Sequence, residues 1–185
     1  MGFLLDTNGD KLTNVRQIES PNHDERPEPI EVSLLVIHGI SLPPNCYGGP
    51  YIDQLFTNNL EPDEHPYFKD ICHLRVSSHL MINREGEVTQ YVPLSKRAWH
   101  AGESDFQGRK VCNDFSIGIE LEGCDDESYT DNQYNVLIEL TDVIRSHWHA
   151  ISKDRILGHS DIAPGRKTDP GPAFDWQRYL TGISE

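Results

Sequence analysis

Hydrophobic positions in the first half of the chain cluster or alternate in ways that predict β-strands. The run VSLLVI at residues 32–37 is almost entirely apolar, as is typical of a strand covered on both faces, and it ends at His38. Residues 76–92 alternate between apolar and polar side chains, turn at NREG (residues 83–86) and alternate again, which predicts a β-hairpin. A short helix is predicted between these strands, over residues 51–58.

A strand with two unlike faces is predicted over residues 115–122, FSIGIELE. Successive side chains of a strand point to opposite faces, so one face is apolar and consists of Ile117, Ile119 and Leu121. The opposite face consists of Ser116, Gly118, Glu120 and Glu122. Glu120 therefore projects from the polar face of this strand.

A long amphipathic helix is predicted after residue 130. Thr130 and Gln133 have the spacing of a capping box and stand at the head of a helical series of apolar positions. That series is Tyr134, Leu137, Ile138, Thr141, Ile144 and Trp148. A short strand is predicted over residues 151–157, whereas residues 158–172 contain too much glycine and proline for either regular element.

The N-terminal part of the chain differs in composition from the rest. Residues 19–30, SPNHDERPEPIE, are rich in proline and charge, and we expect packing to begin just after them. We divide the chain into an N-terminal arm, residues 1–31, packed on or preceding the domain, and a single domain of residues 32–185. A chain of 185 residues fits one domain with extensions.

Charge and composition exclude several classes of protein. Sixteen Lys and Arg against 30 Asp and Glu give a formal net charge of −14, which disfavours nucleic acids and anionic membranes as partners. The four cysteines include no closely spaced pair of the zinc-ribbon or redox kind, so free thiols are expected. Residues 1–16 lack the basic start and apolar stretch of a secretory peptide, and no run approaches the roughly 20 apolar residues of a membrane span. We therefore expect a cytoplasmic protein.

Three candidate metal ligands are His38 at a strand end and, in the Gly/Pro-rich segment, His159 and Asp169. Two histidines and a carboxylate are ligands that hold catalytic zinc with a fourth position open. Lys167 lies two residues before Asp169, so a locally extended chain places both side chains on one side. Glu120 and Lys167 have the chemistry of a proton acceptor and of a positive group for an oxyanion.

Each of these residues also has an ordinary structural interpretation. A lone histidine such as His38 or His159 is more often packed or exposed than catalytic. Asp169 followed by Pro170 and Gly171 is common turn chemistry. From the residues alone, the zinc site and a structural role stay open as alternatives.

Five segments carry a resemblance to a known family: VIHGISLPP, HLRVSSHLMINREGEVTQYVP, KRAWHAG, CNDFSIGIELEG and GHSDIAPGRKTDPGPAFDW. They resemble the zinc-dependent N-acetylmuramoyl-L-alanine amidases, which are related to amidase-type phage lysozymes and peptidoglycan recognition proteins. Residues 32–179 are most similar to the branch of cytosolic 1,6-anhydro-N-acetylmuramoyl-L-alanine amidases of cell-wall recycling. The resemblance implies an α/β (α+β) fold, with a mixed central β-sheet flanked by helices.

The resemblance also implies roles for particular residues. Its zinc ligands correspond to His38, His159 and Asp169, its activating glutamate to Glu120 and its transition-state lysine to Lys167. The implied reaction is hydrolysis of the amide between the lactyl group of anhydro-muramic acid and L-alanine in soluble muropeptides. Control of β-lactamase induction through muropeptide levels is a further expectation from the same resemblance.

Candidate substrate contacts are less specific. Arg75 is a candidate for a carboxylate or an amide of the substrate, and Trp99 and Tyr67 are candidates for contact with the sugar. Arg109, with Lys110 beside it, is a candidate for the carboxylate of diaminopimelate. Tryptophan and the stem of arginine are equally suited to packing, and a basic loop pair is more often simply solvated.

The chain departs from the family pattern at two positions. Gly39 follows the first ligand where asparagine is common, and Ser78 stands where other branches of the superfamily carry a catalytic tyrosine. At Gly39 we expect a hydrogen bond to the peptide to be missing or to be made by the backbone. The absence of the tyrosine at Ser78 leaves the proton transfer to Glu120. For His79 and His100 we expect a structural role or a position behind the ligands.

Three other functions compete with this prediction. An exported or phage-type amidase acting on intact peptidoglycan should carry an export signal, a lipobox or a wall-binding module, and none is visible in the sequence. A non-catalytic peptidoglycan-binding module typically lacks the complete ligand set. A structural zinc site would need a fourth protein ligand, usually sulfur. We expect a small-molecule muropeptide as the partner and no obligate protein partner.

Overall fold

The computed structural model describes residues 2–184. Its strands are β1 Arg16–Gln17, β2 His23–Asp24, β3 Leu34–Ile40, β4 Leu80–Ile82, β5 Val88–Gln90, β6 Arg97–Ala98, β7 Asp105–Phe106, β8 Arg109–Lys110, β9 Ser116–Glu122 and β10 Ile156–Gly158. Its helices are α1 Tyr51–Phe56, α2 Phe68–Ile71, α3 Asp131–His147, α4 His159–Ile162 and α5 Trp176–Gly182. Two 3₁₀ turns span Cys112–Asp114 and Lys153–Arg155.

Six strands form one mixed sheet in the order β1-β5-β4-β9-β3-β10. The pair β4–β5 is antiparallel, as the predicted hairpin requires, and the other four pairs are parallel. The pairs β2–β6 and β7–β8 form two small antiparallel ribbons. The mixed sheet with helices has the predicted α/β architecture.

The pair β3–β9 has one apolar and one polar face. In its parallel register Ile37 lies opposite Ile119 and His38 lies opposite Glu120. Ile37, Ile119 and Leu121 belong to the core cluster that includes apolar residues of α3. The predicted alternation in residues 115–122 is therefore confirmed, because every second side chain of β9 joins this core.

Helix α3 covers this apolar face and begins at the predicted capping box. The Thr130 hydroxyl accepts a hydrogen bond from the Gln133 backbone N–H at 3.2 Å, and the Thr130 N–H donates to Gln133 Oε1 at 3.0 Å. Two backbone donors at the helix start are thereby satisfied. Leu137, Leu140 and Ile144 of the helix are fully buried.

The N-terminal segment packs onto the domain earlier than expected. The expectation that packing begins just after residue 30 is wrong, because Leu12 is only 2% exposed and lies in the main core. Strand β1 pairs with β5 at the edge of the main sheet. The Arg26 guanidinium donates to five backbone carbonyls, those of Leu94, Ser95, Asn113, Asp114 and Ser116. The division at residue 31 stays a prediction.

Other local predictions need smaller corrections. Regular β-structure in the predicted strand over residues 151–157 is confined to β10, since a 3₁₀ turn precedes it. The composition of residues 158–172 predicts an irregular segment, yet α4 forms one turn of helix there, where the Asp161 carboxylate accepts from the Gly158 N–H at 2.8 Å. All four cysteines are free thiols, as predicted. Within residues 2–184, none of the helices is long and apolar enough to cross a membrane.

Candidate metal centre

A cleft of about 910 Å³ opens at the carboxyl ends of β3, β9 and β10. These strands are parallel or joined through parallel pairs, so their carboxyl ends lie at the same edge of the sheet. His38 lies near the end of β3, Glu120 lies on β9, and His159 follows β10 directly as the first residue of α4. All three residues line the cleft.

The three predicted metal ligands meet at the floor of this cleft. His38 Nδ1 lies 2.9 Å from His159 Nδ1 and 3.2 Å from Asp169 Oδ2, and His159 Nδ1 lies 3.1 Å from Asp169 Oδ2. His38 and His159 are 1% and 3% exposed. The structure therefore brings together three side chains that are 121 and 10 residues apart in the sequence.

This arrangement of donor atoms fits a divalent metal ion. A tetrahedral ion with bonds of about 2.1 Å separates its ligand atoms by about 3.4 Å, close to the distances found here. Among the residues that the structure describes, His38, His159 and Asp169 form the group of histidine, cysteine and carboxylate side chains with this geometry. Two imidazoles and one carboxylate leave a fourth coordination position for a small molecule.

Glu120 lies beside the three ligands. Its Oε1 is 3.9 Å from His38 Nδ1, and the residue is only 8% exposed. Burial, followed by the charge of Asp169, raises the pKa of Glu120 well above its ordinary value, whereas the charge of Lys167 lowers it. A raised pKa favours uptake of a proton by this carboxyl group, as a general base requires.

Two of the candidate ligands, His38 and Asp169, have lowered rather than raised pKa values. Burial, despite the neighbouring Asp169 carboxylate, lowers the pKa of His38 to about 4, so its imidazole is neutral. Burial opposes ionisation of Asp169, but its close contacts with the His159 and His38 imidazoles hold the pKa of that carboxyl below its usual range. A neutral imidazole and a carboxylate are the protonation states that bind a metal ion.

Lys167 lines the cleft with Thr168 and Asp169. Its side chain is exposed, and its backbone N–H donates to the Ala163 carbonyl at 3.0 Å. The segment after α4 therefore supplies both a candidate ligand and a cation to the same cleft. The predicted proximity of Lys167 and Asp169 agrees with this placement.

The predicted substrate contacts separate into two groups. Tyr67 and Trp99 line the cleft, and Trp99 Nε1 is buried without a hydrogen-bond partner among the described residues. Arg75 is exposed outside the cleft lining, where Nη1 lies 3.4 Å from the His73 and Leu74 carbonyls. The Arg109 guanidinium stacks on Phe115 at 3.7 Å and is not part of the cleft lining, as is also true of Lys110.

The structure shows what surrounds Gly39 and Ser78, the two positions at which the chain departs from the family pattern. Gly39 lines the cleft, and a Cβ at this position would collide with the Tyr129 hydroxyl, which donates to the Pro170 carbonyl at 2.9 Å. The Ser78 hydroxyl is buried and donates to the Gly118 carbonyl at 2.8 Å. Ser78 is therefore committed to the sheet backbone and supplies no group to the cleft.

Comparison with known proteins identifies the family. A family model described as N-acetylmuramoyl-L-alanine amidase matches residues 27–172. The chain belongs to this amidase family. The 1,6-anhydro-N-acetylmuramyl-L-alanine amidase AmpD of Haemophilus influenzae is 57% identical over 172 residues, which cover 93% of this chain and 94% of that protein. Family membership and amidase class, as predicted from the sequence, are confirmed.

Solved structures of amidases share the fold. A selenomethionine derivative of AmpD superposes with a TM-score of 0.94 at 54% identity, covering 98% of this chain and 99% of that chain. A complex of the amidase AmiD from Escherichia coli with anhydro-N-acetylmuramic acid-L-Ala-D-γ-Glu-L-Lys superposes with a TM-score of 0.61 at 27% identity. That match covers 100% of this chain and 67% of AmiD. The mixed central sheet of the predicted amidase fold is thus confirmed.

Sequence patterns do not identify several residues around the three candidate metal ligands. His100 contacts His38 directly, which agrees with its expected position behind the candidate ligands. His79 lies instead against the Lys96 carbonyl, the Gly118 N–H and the Arg26 guanidinium. The contacts of the Ala101 carbonyl with His159 and of the Asn113 amide with His100 and Ala101 are not predicted, because a backbone carbonyl and a buried amide leave no periodic signal in the sequence. Ser116, which contacts His100, lies on the predicted polar face of β9, and that position is the only sequence signal that points to it.

Proposed function

We propose that this chain hydrolyses the amide bond between the lactyl group of 1,6-anhydro-N-acetylmuramic acid and L-alanine in soluble muropeptides. The observation that carries the proposal is the convergence of His38, His159 and Asp169 next to Glu120 in one cleft. The substrate class is supported by the names of the relatives, which cleave 1,6-anhydro-N-acetylmuramyl-L-alanine. Anhydro-muramyl peptide is also the ligand in the AmiD complex.

The proposed cofactor is a single zinc ion held by His38 Nδ1, His159 Nδ1 and Asp169 Oδ2. The mixed nitrogen and oxygen donor set suits zinc, and three protein ligands are typical of its catalytic sites. When bound, zinc supplies Lewis acidity at the scissile carbonyl and lowers the pKa of water. Zinc binding to these residues is part of the proposal.

Glu120 is the proposed proton carrier. Its carboxylate accepts one proton from the attacking water, whose oxygen forms the new bond to the lactyl carbonyl carbon. As the carbon–nitrogen bond breaks, Glu120 returns that proton to the nitrogen of L-alanine. The products are a lactyl carboxylic acid, which ionises, and a free amine, and Glu120 ends in its starting state.

Lys167 is the proposed oxyanion-stabilising group. The tetrahedral stage of amide hydrolysis places a negative charge on the former carbonyl oxygen. Lys167 is the cationic side chain in the described lining of the cleft, and Glu120 is close enough for its charge to interact with that of the lysine. The lysine therefore balances the acidic groups that surround the reacting carbonyl.

Tyr67 and Trp99 are the proposed contacts for the sugar. Both line the cleft, where aromatic side chains are suited to packing against a sugar ring. Arg75 and Arg109 stay predictions for the carboxylates of the peptide. A cytoplasmic location and a role in cell-wall recycling also stay predictions.

The test is a comparison of two substrates. Purified protein is given anhydro-muramyl tripeptide and intact sacculi, each with and without added chelator, and release of free stem peptide is measured. We expect rapid cleavage of the anhydro-muramyl peptide, loss of activity in chelator and recovery with zinc. Preferential release of peptide from sacculi would instead identify a wall-degrading amidase, and binding without cleavage would identify a recognition module.

A further inference from the structure

The adjacent residues His100 and Ala101 hold the far sides of both candidate ligand histidines. His38 Nε2 lies 2.9 Å from His100 Nδ1, and His159 Nε2 lies 3.1 Å from the Ala101 carbonyl oxygen. Both histidines therefore turn the opposite ring nitrogen, Nδ1, toward Asp169. Neither His100 nor Ala101 belongs to the group of candidate metal ligands.

We propose that His100, backed by Ser116, is a positioning residue that fixes His38 with its proton on Nε2, and that the Ala101 carbonyl fixes His159 in the same tautomer. The inference rests on the proposed function, since it concerns how that metal site is prepared. It assigns no catalytic step to His100 or to Ser116. Their role is to present two unprotonated Nδ1 atoms to the ion.

The proton positions follow from a chain of hydrogen bonds. The Ser116 hydroxyl donates to the Cys112 carbonyl at 2.6 Å, because a carbonyl oxygen can only accept. Its oxygen must then accept from His100 Nε2–H, at 3.1 Å. A neutral His100 is left with an unprotonated Nδ1, so the bond to His38 requires the proton on His38 Nε2.

The assignment for His159 is independent of this chain. Its Nε2 faces the Ala101 carbonyl, which can only accept, so Nε2 carries the proton. Arg166 Nη2 donates to the same carbonyl oxygen at 2.6 Å and holds it in place. The two ligand histidines thus reach one tautomer by separate contacts from neighbouring residues.

Surrounding residues fix the His100–Ala101 segment itself. The buried Asn113 side chain accepts through Oδ1 from the backbone N–H groups of His100 at 3.2 Å and Ala101 at 2.7 Å. The His100 ring lies against β9 at Gly118, where a Cβ would come within 2.6 Å of it. A larger residue at position 118 would therefore displace the ring that contacts His38.

The resulting arrangement directs three lone pairs at one another. With both protons on Nε2, His38 Nδ1, His159 Nδ1 and Asp169 Oδ2 face each other at 2.9–3.2 Å without a proton to share. Three such acceptors repel unless a cation lies between them. The hydrogen bonds behind the histidines thus prepare a site for a metal ion before the ion arrives.

The experiment measures zinc affinity and tautomers in four variants. Metal-free protein is titrated with zinc in competition with a chromophoric chelator, and long-range ¹H–¹⁵N spectra report which ring nitrogens carry protons. Since loss of a contact behind a metal ligand typically weakens metal binding by about 10–100-fold, H100L should raise the Kd for zinc by that factor. H100N keeps an acceptor oxygen near the position of Nδ1 and should restore most of the affinity.

The matched pair is S116A and S78A. Both serines are fully buried, and both donate to a backbone carbonyl. Of these two hydroxyl groups, that of Ser116 also contacts His100, whereas that of Ser78, within residues 2–184, contacts only the sheet backbone. S116A should raise the zinc Kd about 10-fold, whereas S78A should leave it within about 2-fold of wild type. Because each variant loses one buried hydrogen bond to a backbone carbonyl, the two should lower the urea midpoint by similar amounts.

Each outcome decides between the two proposals. His38 protonated on Nδ1 in the zinc-loaded protein, or wild-type zinc affinity in both H100L and S116A, overturns this inference even if the enzyme cleaves muropeptide. Failure to cleave muropeptide, with the expected tautomers and affinities, overturns the proposed function alone. If H100L does not fold, S116A and the wild-type spectra still decide the matter.

Discussion

The two faces of the β3–β9 pair are both buried, but one is stabilised by apolar packing and the other by specific polar contacts. On one face, Ile119 and Leu121 pack in the core that includes helix α3. On the other face, Glu120 and its register partner His38 lie at the floor of the cleft. The apolar face gains stability from non-directional burial, whereas each group of the polar face depends on particular partners at particular distances.

This difference teaches where the chain places stability and where it places chemistry. Loss of a methylene group on the apolar face leaves a cavity, which lowers the free energy of unfolding. Loss of a charge on the polar face removes a reactive group from an environment that disfavours that charge. Substitutions on opposite faces of one strand should therefore separate stability from activity.

The largest effect is expected for Glu120→Gln. The amide occupies nearly the same volume but cannot carry the proton, so kcat/KM should fall by about 10²–10⁴-fold. Zinc affinity should change by less than about 3-fold, because Glu120 is not a proposed ligand. Since a buried carboxylate is replaced by a neutral group, the urea midpoint should stay or rise. Turnover, zinc competition and urea unfolding measure these quantities.

The adjacent residue provides the control for this variant. Ile119→Val changes the opposite face of the same strand and should cost about 1 kcal/mol of unfolding free energy without altering kcat/KM. Equal loss of activity in both variants would show that the two faces are not separable. Unchanged turnover in Glu120→Gln would remove Glu120 from the mechanism.

The next effect concerns stability and is expected for Leu121→Ala. Leu121 is 1% exposed in the main core, and truncation of such a side chain costs about 3 kcal/mol. Urea unfolding should show this loss, while kcat/KM at 25 °C should match wild type within about 2-fold, since the cleft lies on the other face. A loss of turnover in fully folded protein would contradict this separation.

The two faces were predictable from sequence, but their pairing was not. Strict alternation in residues 115–122 is enough, by itself, to assign every side chain of β9 to one face or the other. The alignment of His38 with Glu120 depends on the parallel register of two strands that are far apart in the chain. No local pattern encodes that register, so the chemistry of the residues and the family resemblance were needed to connect them.

Long-range contacts of polar groups around the site could not be predicted from sequence patterns, for a similar reason. Arg26 lies in a segment rich in proline and charge, which predicts an arm, yet its guanidinium lies among five carbonyl groups of the domain. The Ala101 carbonyl is equally invisible, because backbone groups do not vary with sequence. Long-range polar contacts of this kind follow from the fold and not from periodicity.

A smaller effect is expected from pH, through His79 on the polar side of β9. Its Nδ1 accepts from the Gly118 N–H at 2.9 Å and its Nε2 lies 3.0 Å from the Lys96 carbonyl, so the ring is neutral. Burial, and then the charge of Arg26, lowers the pKa of His79 to about 3, below its ordinary value of 6.5. The stability that this neutral ring contributes is present above pH 6.5 and is lost progressively as the pH falls from 6.5 toward 3.

The test compares wild type with His79→Asn, which keeps an acceptor for the Gly118 N–H but does not titrate. Between pH 6.5 and 5, the wild-type free energy of unfolding should fall more steeply than that of the variant, by up to about 1.4 kcal/mol per pH unit. Urea unfolding at several pH values gives both slopes. Parallel slopes would mean that the pKa of His79 is not lowered in the folded protein, which would contradict this prediction.

The smallest effect is expected for Thr130→Ala, at the start of the helix that covers the apolar face. The Thr130 hydroxyl accepts from the Gln133 N–H and donates to the Arg84 carbonyl at 2.7 Å, so its loss leaves a helix donor and a loop acceptor unpaired. An N-cap substitution of this kind costs about 1 kcal/mol of unfolding free energy, whereas Thr130→Ser keeps the hydroxyl and should retain most of it. Because the buried apolar residues of α3 pack in the core on the apolar face of the pair, zinc affinity and kcat/KM should be unchanged in both variants. A change in zinc affinity with Thr130→Ala, absent from Thr130→Ser, would show that strain at the helix start passes through the sheet to the metal ligands.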